Sequence, residues 1–286
     1  MQRRRVLALL ATVPLLALAA CGDDDAATPA TEPPPDETLP PTDAPGYVHP
    51  TGSDEVVLRI AYEGGFTTPD VVFLGLPTVL VTGDRVFQQG PVIEIYPGPL
   101  LPNIQVRTIS EAGIQELLAA ADEAGLLEQR TYDGPDNIAD APDTVVTLTV
   151  DGVTYEHRAY ALGFERASGV EGDEDRAALQ GFVELVSRYV TAEPGEVLGE
   201  EAAFVPEEYL LRSFVADDPS GLEIEPTIVP WPAEVPVRLV DAADCAAVPA
   251  ATVGELFTTA TQLTFFEEEG VVFRLAVKPA LPGDAC

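Results

Sequence analysis

Basic side chains are what this sequence has least of. Lysine and arginine together number 15 against 48 aspartates and glutamates in 286 residues, Lys278 is the single lysine, and the formal net charge is −33. A surface of that sign repels phosphate backbones and anionic lipid head groups, which excludes nucleic-acid binding and polybasic docking on membranes. Two histidines are too few for a histidine-rich metal site. Hydrophobic residues nevertheless make up 46% of the chain, enough to bury a core, and the length suits one large domain or two small ones.

The uncharged run from Val6 to Ala20 follows Arg3, Arg4 and Arg5. As a helix it reaches roughly 22 Å, short of the ~30 Å hydrocarbon core, and Pro14 interrupts it. A basic start followed by a short apolar run is a secretory signal pattern. At its end, Leu18-Ala19-Ala20-Cys21-Gly22 resembles the lipobox of bacterial lipoproteins. That resemblance implies residues 1–20 as a signal peptide, a diacylglyceryl thioether on the Cys21 sulfur, cleavage before Cys21, and a further acyl chain such as palmitate on the new amino terminus. A thiolate is nucleophilic enough to accept the lipid, and two or more chains anchor stably. The expected location is the extracytoplasmic face of the cell membrane. Losing three arginines and no acid takes the net charge from −33 to −36.

Residues 21–53 read as a spacer. From Gly22 to Ser53 there are eight prolines, seven acids and no basic residue, so little is available to offset the entropy of ordering, and a solvated, partly polyproline-II tether is expected. Its reach lies between roughly 30 Å as a coil and about 100 Å extended. His49 falls within it. Residues 54–286 keep the other 41 acids and 12 basic groups, a charge of −29.

Within 54–286, Val56 to Tyr62 reads as a strand stopped by Gly64-Gly65, and residues 78–87 as a hairpin turning at Gly83-Asp84. Ser110 has the chemistry of an N-cap for a helix carrying Ile114, Leu117, Leu118 and Ala121 up to Gly125. Thr144 to Val150 and Val153 to Leu162 form the clearest hairpin, because Asp151-Gly152 supplies the positive φ angles of a tight turn. A second helix follows Asp173 and Asp175, with Leu179, Phe182, Val183, Val186 and Val190 on one stripe. Tyr209 to Val215 reads as a strand, residues 226–236 are punctuated by proline, and Thr252 and Glu255 have capping-box spacing for a third helix. Leu263 to Phe266 and Val271 to Lys278 close the chain as strands. The helix-then-hairpin order occurs twice, over 110–162 and 252–278, and reads as local α+β grammar and not as a duplication. The fold expected is α+β: an antiparallel sheet built mainly from hairpins, with about three helices packed on one face, dividing into subdomains at 54–192 and 193–286 if it divides. The body also resembles uncharacterised bacterial surface lipoproteins that carry an Asp-x-Pro-x-Thr strand, here Asp140-Ala141-Pro142-Asp143-Thr144. This implies a shared fold and brings no activity.

Several residue groups are candidates for chemistry. Cys245 and Cys286 remain once Cys21 is lipidated, and an exported compartment favours a disulfide between them, contributing about 4 kcal/mol by the chain-entropy model. His157 lies on the same side of its strand as Val153, Tyr155 and Ala159; it is either a general base or a half-buried structural histidine, and no nucleophile signature accompanies it. Asp133, Asp136, Asn137 and Asp140 place oxygen ligands in one loop without matching an EF-hand, and Glu171 to Asp175 fits a helix start better than a cation site. Tyr96, Leu100 and Leu101 lie on a proline-stiffened loop that either presents a partner surface or tucks its leucines under as a satellite core. Gly64-Gly65-Phe66 invites a phosphate-loop reading, which fails because no lysine or arginine stands beside it and no helix follows in the pattern. The reading that emerges is a lipid-anchored extracytoplasmic protein whose body is non-catalytic and needs no cofactor. It would meet the membrane through its lipid and act as a binding or structural module towards an envelope protein or polymer. The alternatives are an envelope hydrolase pairing Asp136 or Asp140 with Glu63, and a calcium-dependent binding module.

Overall fold

Strand alternation and turn chemistry shape the first half of the body. In the computed structural model, which describes residues 46–92, 94–164, 174–216 and 221–286, the strands β1 (Val56–Gly64), β2 (Val79–Thr82), β3 (Arg85–Gln89), β4 (Ile104–Thr108), β5 (Pro142–Val150), β6 (Val153–Tyr160) and β7 (Ala202–Ala203) make one sheet. Their order is β6-β5-β1-β2-β3-β4-β7 and every neighbouring pair is antiparallel. A five-residue helix, α1 (Pro69–Phe73), lies between β1 and β2. The two expected hairpins form, and Asp151 and Gly152 adopt φ of 52° and 74° at the β5–β6 turn. Val57 and Leu58 are both buried because a bulge lets two residues of β1 oppose one of β2.

One face of this sheet is apolar along its length. Leu58, Ile60, Val79, Val81, Val146 and Leu148 pack against Ile114, Leu117 and Leu118 of α2 (Glu111–Glu123) and Leu179, Phe182 and Val186 of α3 (Glu174–Val190). The Ser110 side chain accepts from the Gly113 N–H, so the expected cap of α2 is present. Residues 171–173 of the second acidic cluster, like the signal, Cys21 and most of the spacer, lie outside the described residues.

The remaining strands build a second sheet instead of extending the first. They are β8 (Glu208–Val215), β9 (Thr227–Pro230), β10 (Ala246–Pro249), β11 (Thr264–Glu268) and β12 (Val271–Pro279), in the order β10-β8-β12-β11-β9. The α+β class is as expected, with two mostly antiparallel sheets in place of one and four α-helices among the described residues, each sheet keeping its own. The fourth helix, α4 (Ala250–Thr259), covers the second core, where the Phe266 ring stands edge-on to Trp231 and Phe257, at 87° and 86°. β9 comes from the proline-punctuated stretch and pairs in parallel with β11; its edge position tolerates Pro230, which has no N–H to donate. The chain beyond α3 returns to the first sheet through Leu198 and β7, so residues 193–203 stay with that sheet, and both sheets lie within one compact unit. The Thr252 and Glu255 spacing does not make a capping box: α4 starts at Ala250, and the Thr252 hydroxyl donates to the Pro249 carbonyl at 2.8 Å.

The two halves are stitched at several points. Leu281 and Phe204 join Leu80, Phe87 and Ile104 in a third apolar cluster. Asp70 of α1 pairs with Arg274 of β12 at 2.9 Å, and the Lys278 ammonium lies 3.4 Å from Asp284 and over the Phe73 ring. Cys245 and the terminal Cys286 are joined, with Cα atoms 5.4 Å apart, holding the tail that carries Leu281.

Residues 46–53 belong to the body, although composition groups them with the spacer. The Tyr47 N–H and carbonyl bond the Gln115 amide at 2.8 Å each, the Tyr47 hydroxyl donates to Asp122, and His49 reaches Glu111 at 3.1 Å. An average over proline and acid hides the few side chains that find partners on α2.

Arg107 shows how a basic residue is used here. It is 4% exposed in β4, and it donates to the carbonyls of Gly199 (2.8 Å), Val190 (2.9 Å) and Ala192 (2.7 Å), the last two at the carboxyl end of α3. Cationic hydrogen bonds to the negative end of a helix are favourable, and truncation orphans three carbonyls. Arg107→Met is expected to lower unfolding free energy in urea by about 3 kcal/mol, whereas Arg85→Met at a half-exposed site should cost about 0.5 kcal/mol or less.

Candidate functional site

The face of the first sheet turned away from α2 and α3 is covered over β2 to β4 by the third apolar cluster and open over β1, β5 and β6. Period-two alternation sets Arg59, Ala61 and Glu63 on that open face. The register then places partners beside them: Glu63 opposes Asp143, Val145 opposes Arg158, and Thr147 opposes both Arg59 and Glu156. Side chains far apart in sequence therefore meet as a charged floor.

A wall rises where β1 ends. Gly64 and Gly65 take φ of 76° and 80°, conformations open to glycine, and turn the chain off the sheet. A Cβ on Gly65 would stand 3.2 Å from the Asp140 carbonyl oxygen, and the Phe66 N–H donates to that same carbonyl at 3.3 Å. α1 follows, held from behind by the Asp70–Arg274 pair. Floor and wall enclose a cleft of about 670 Å³, within the size range of small-ligand sites. Phe66 is 88% exposed at its rim, beside the exposed Val71 and Val72.

The floor is internally paired. Arg158 donates from Nη2 to Glu63 at 2.8 Å and from Nη1 to Asp143 at 3.1 Å, and its Nε stands 3.6 Å from Glu156. Arg59 donates from Nη1 to the second oxygen of Glu63 at 2.9 Å. Burial pushes the Glu63 carboxyl up, but the hydrogen bonds from Arg158 and Arg59 outweigh it and hold the group below the ordinary carboxylate range. Glu63 is thus a fixed anion with both oxygens engaged. A glycosidase-type acid requires the opposite environment, one that keeps a carboxyl protonated near neutral pH.

The other candidates fall in different places. Asp140 lines the same cleft, whereas Asp136 does not. Among the described residues no three His, Cys, Asp or Glu side chains gather as a metal site, and this includes Asp133, Asp136 and Asp140. The Asp133 and Asp140 carbonyls serve Arg176 and Phe66. Leu100 and Leu101 are half-buried against the second core, and the loop is bonded to it through Leu100 N–H to Ala260 O (3.0 Å) and Gln262 N–H to Gly98 O (2.9 Å). Tyr96 remains exposed at the edge of that loop. Contrary to the sequence expectation, Gly64-Gly65-Phe66 does have arginines near it and a helix after it: Arg59 and Arg158 line the cleft and α1 follows. Both guanidiniums, however, are committed to carboxylates.

Arg59 and Arg158 belong to no motif in the sequence, and Asp143 stands out there only as part of the Asp140–Thr144 strand. A signal for half of the network was present, because the Asp151-Gly152 turn fixes which residues of β5 and β6 are opposite. The β1–β5 register had no local signal.

His157 is buried and away from the cleft. Its Nε2–H donates to the Leu126 carbonyl at 2.8 Å and its Nδ1 accepts from the Tyr132 hydroxyl at 2.9 Å, the pattern of a neutral imidazole serving structure. Burial lowers its pKa against the upward pull of the Leu126 carbonyl. A folded value below the unfolded one means the stability it confers is complete above the unfolded value of about 6.5 and drains as the pH falls towards the folded value. The urea midpoint is expected to fall from pH 7.5 to pH 5, and His157→Gln should flatten that slope; an unchanged slope would contradict this assignment. Compared with protein families, curated proteins and solved structures, the chain matches none.

Proposed function

We propose that this chain is a lipid-anchored extracytoplasmic protein whose α+β body is a non-catalytic binding module of the cell envelope, with the cleft floored by Arg59, Glu63, Asp143 and Arg158 as its binding surface. The lipobox resemblance at Leu18-Ala19-Ala20-Cys21 supports the anchor, and the proline- and acid-rich stretch after it suits a spacer that holds the body off the bilayer. The observation that carries the binding reading is the double guanidinium grip on Glu63, which removes the cleft's central carboxylate from proton transfer while leaving it as a fixed acceptor.

The test has two arms. Cells expressing the full chain are labelled with radioactive palmitate and fractionated; the protein should carry label in the membrane fraction, and Cys21→Ala should lose both label and membrane association. Label that persists in Cys21→Ala would refute the anchor. In the second arm the purified chain is assayed for hydrolysis of envelope polymers, and turnover abolished by Glu63→Gln would overturn the non-catalytic reading.

A further inference from the structure

The cleft differs from the acidic surface around it by containing both signs of charge in near balance, Arg59 and Arg158 against Glu63, Asp140 and Asp143. Its ion pairs are satisfied within the protein, so a ligand bringing a full charge would compete with pairs already made. A hydroxyl group faces no such conflict. It both donates and accepts, so it adds to a carboxylate lone pair and to a free guanidinium N–H without displacing either partner. Arg158 alone has five N–H donors and remains 44% exposed, while Glu63 is 35% exposed. Vicinal hydroxyls presented to such a mixed, planar floor meet donor and acceptor side by side.

The wall supplies the complementary chemistry. Phe66 stands almost fully in water, with Val71 and Val72 next to it. Its backbone N–H is bonded to the Asp140 carbonyl, which places the ring at the rim beside the floor. A sugar ring has a C–H face for such a ring and hydroxyls for such a floor. Anionic polymers are disfavoured by the −29 carried by residues 54–286.

We infer that the cleft binds a neutral glycan segment, with Phe66 as the stacking platform and Arg59, Asp143 and Arg158 as hydroxyl readers. This rests on the binding-module reading above and names its ligand class.

The experiment uses calorimetric titration of the purified full-length chain in detergent against three probes: a panel of neutral oligosaccharides, a sulfated oligosaccharide and an oligolysine peptide. A neutral oligosaccharide should bind and the sulfated one should not. Phe66→Ala should weaken binding about tenfold or more with an unchanged melting temperature, and Phe66→Trp should restore it. Arg158→Gln should weaken binding as well. If no neutral oligosaccharide binds, or if Phe66→Ala binds as tightly as the parent, the glycan assignment is overturned. Saturable binding of oligolysine alone, lost on substitution in the cleft, overturns the glycan class and leaves the binding-module reading standing. Release of shortened glycan supports the ligand class and overturns the non-catalytic reading.

Discussion

Leu58 and Ile60 face α2 and α3, while Arg59 and Glu63 face the other way. A strand with that alternation needs an apolar layer on one side and water or partners on the other. The two helices supply the first. On the second side β2 to β4 continue apolar through Leu80 and Phe87, which require a cover, and the chain provides it from far along its length in Phe204 and Leu281. The second half of the body is thereby drawn against the first. β1, β5 and β6 are left uncovered, and the cleft occupies what that cover does not reach.

Scarce cations are spent on cross-links. Arg107 and Arg176 are buried against backbone carbonyls, and Arg274 and Lys278 tie β12 to α1 and to the carboxyl-terminal tail. Arg59 and Arg158 organise the cleft floor. An excess of acids remains, and their mutual repulsion is long-ranged at low ionic strength and screened by salt. The cross-links act at short range, where screening is weaker, so the acidic surface and the ordered interior coexist. These positive charges therefore mark fixed contacts and not a surface seeking anions.

How much of this was legible in the sequence depended on the range of the interactions concerned. The β5–β6 hairpin is set by Asp151-Gly152 and α2 by Ser110 with its apolar stripe, all within one turn or one helix. The second sheet is different: β9 pairs with a strand more than thirty residues away and runs through prolines that argue locally against a strand. The same holds for Tyr47 and His49, whose partners on α2 are invisible to a compositional average. In the cleft, the opposition of Val145 to Arg158 followed from the hairpin turn, whereas the opposition of Glu63 to Asp143 required knowing that β1 inserts between β2 and β5. Residue types were readable throughout; the register joining distant strands was not.

The ion pairs of the floor contribute little to holding the fold together. Half-exposed pairs are worth roughly 0 to 1 kcal/mol each, because solvent screens them and side-chain entropy opposes them. The apolar clusters beneath would hold β1, β5 and β6 in place without them. What the pairs do accomplish is positional: Glu63 is held from two sides by Arg59 and Arg158, and Arg158 is held in turn by Asp143. Each group's orientation is set by its neighbours before any ligand arrives. A floor of this kind adds little to stability and much to preorganisation, which is the property that the proposed glycan site requires of a wet, mixed-charge surface.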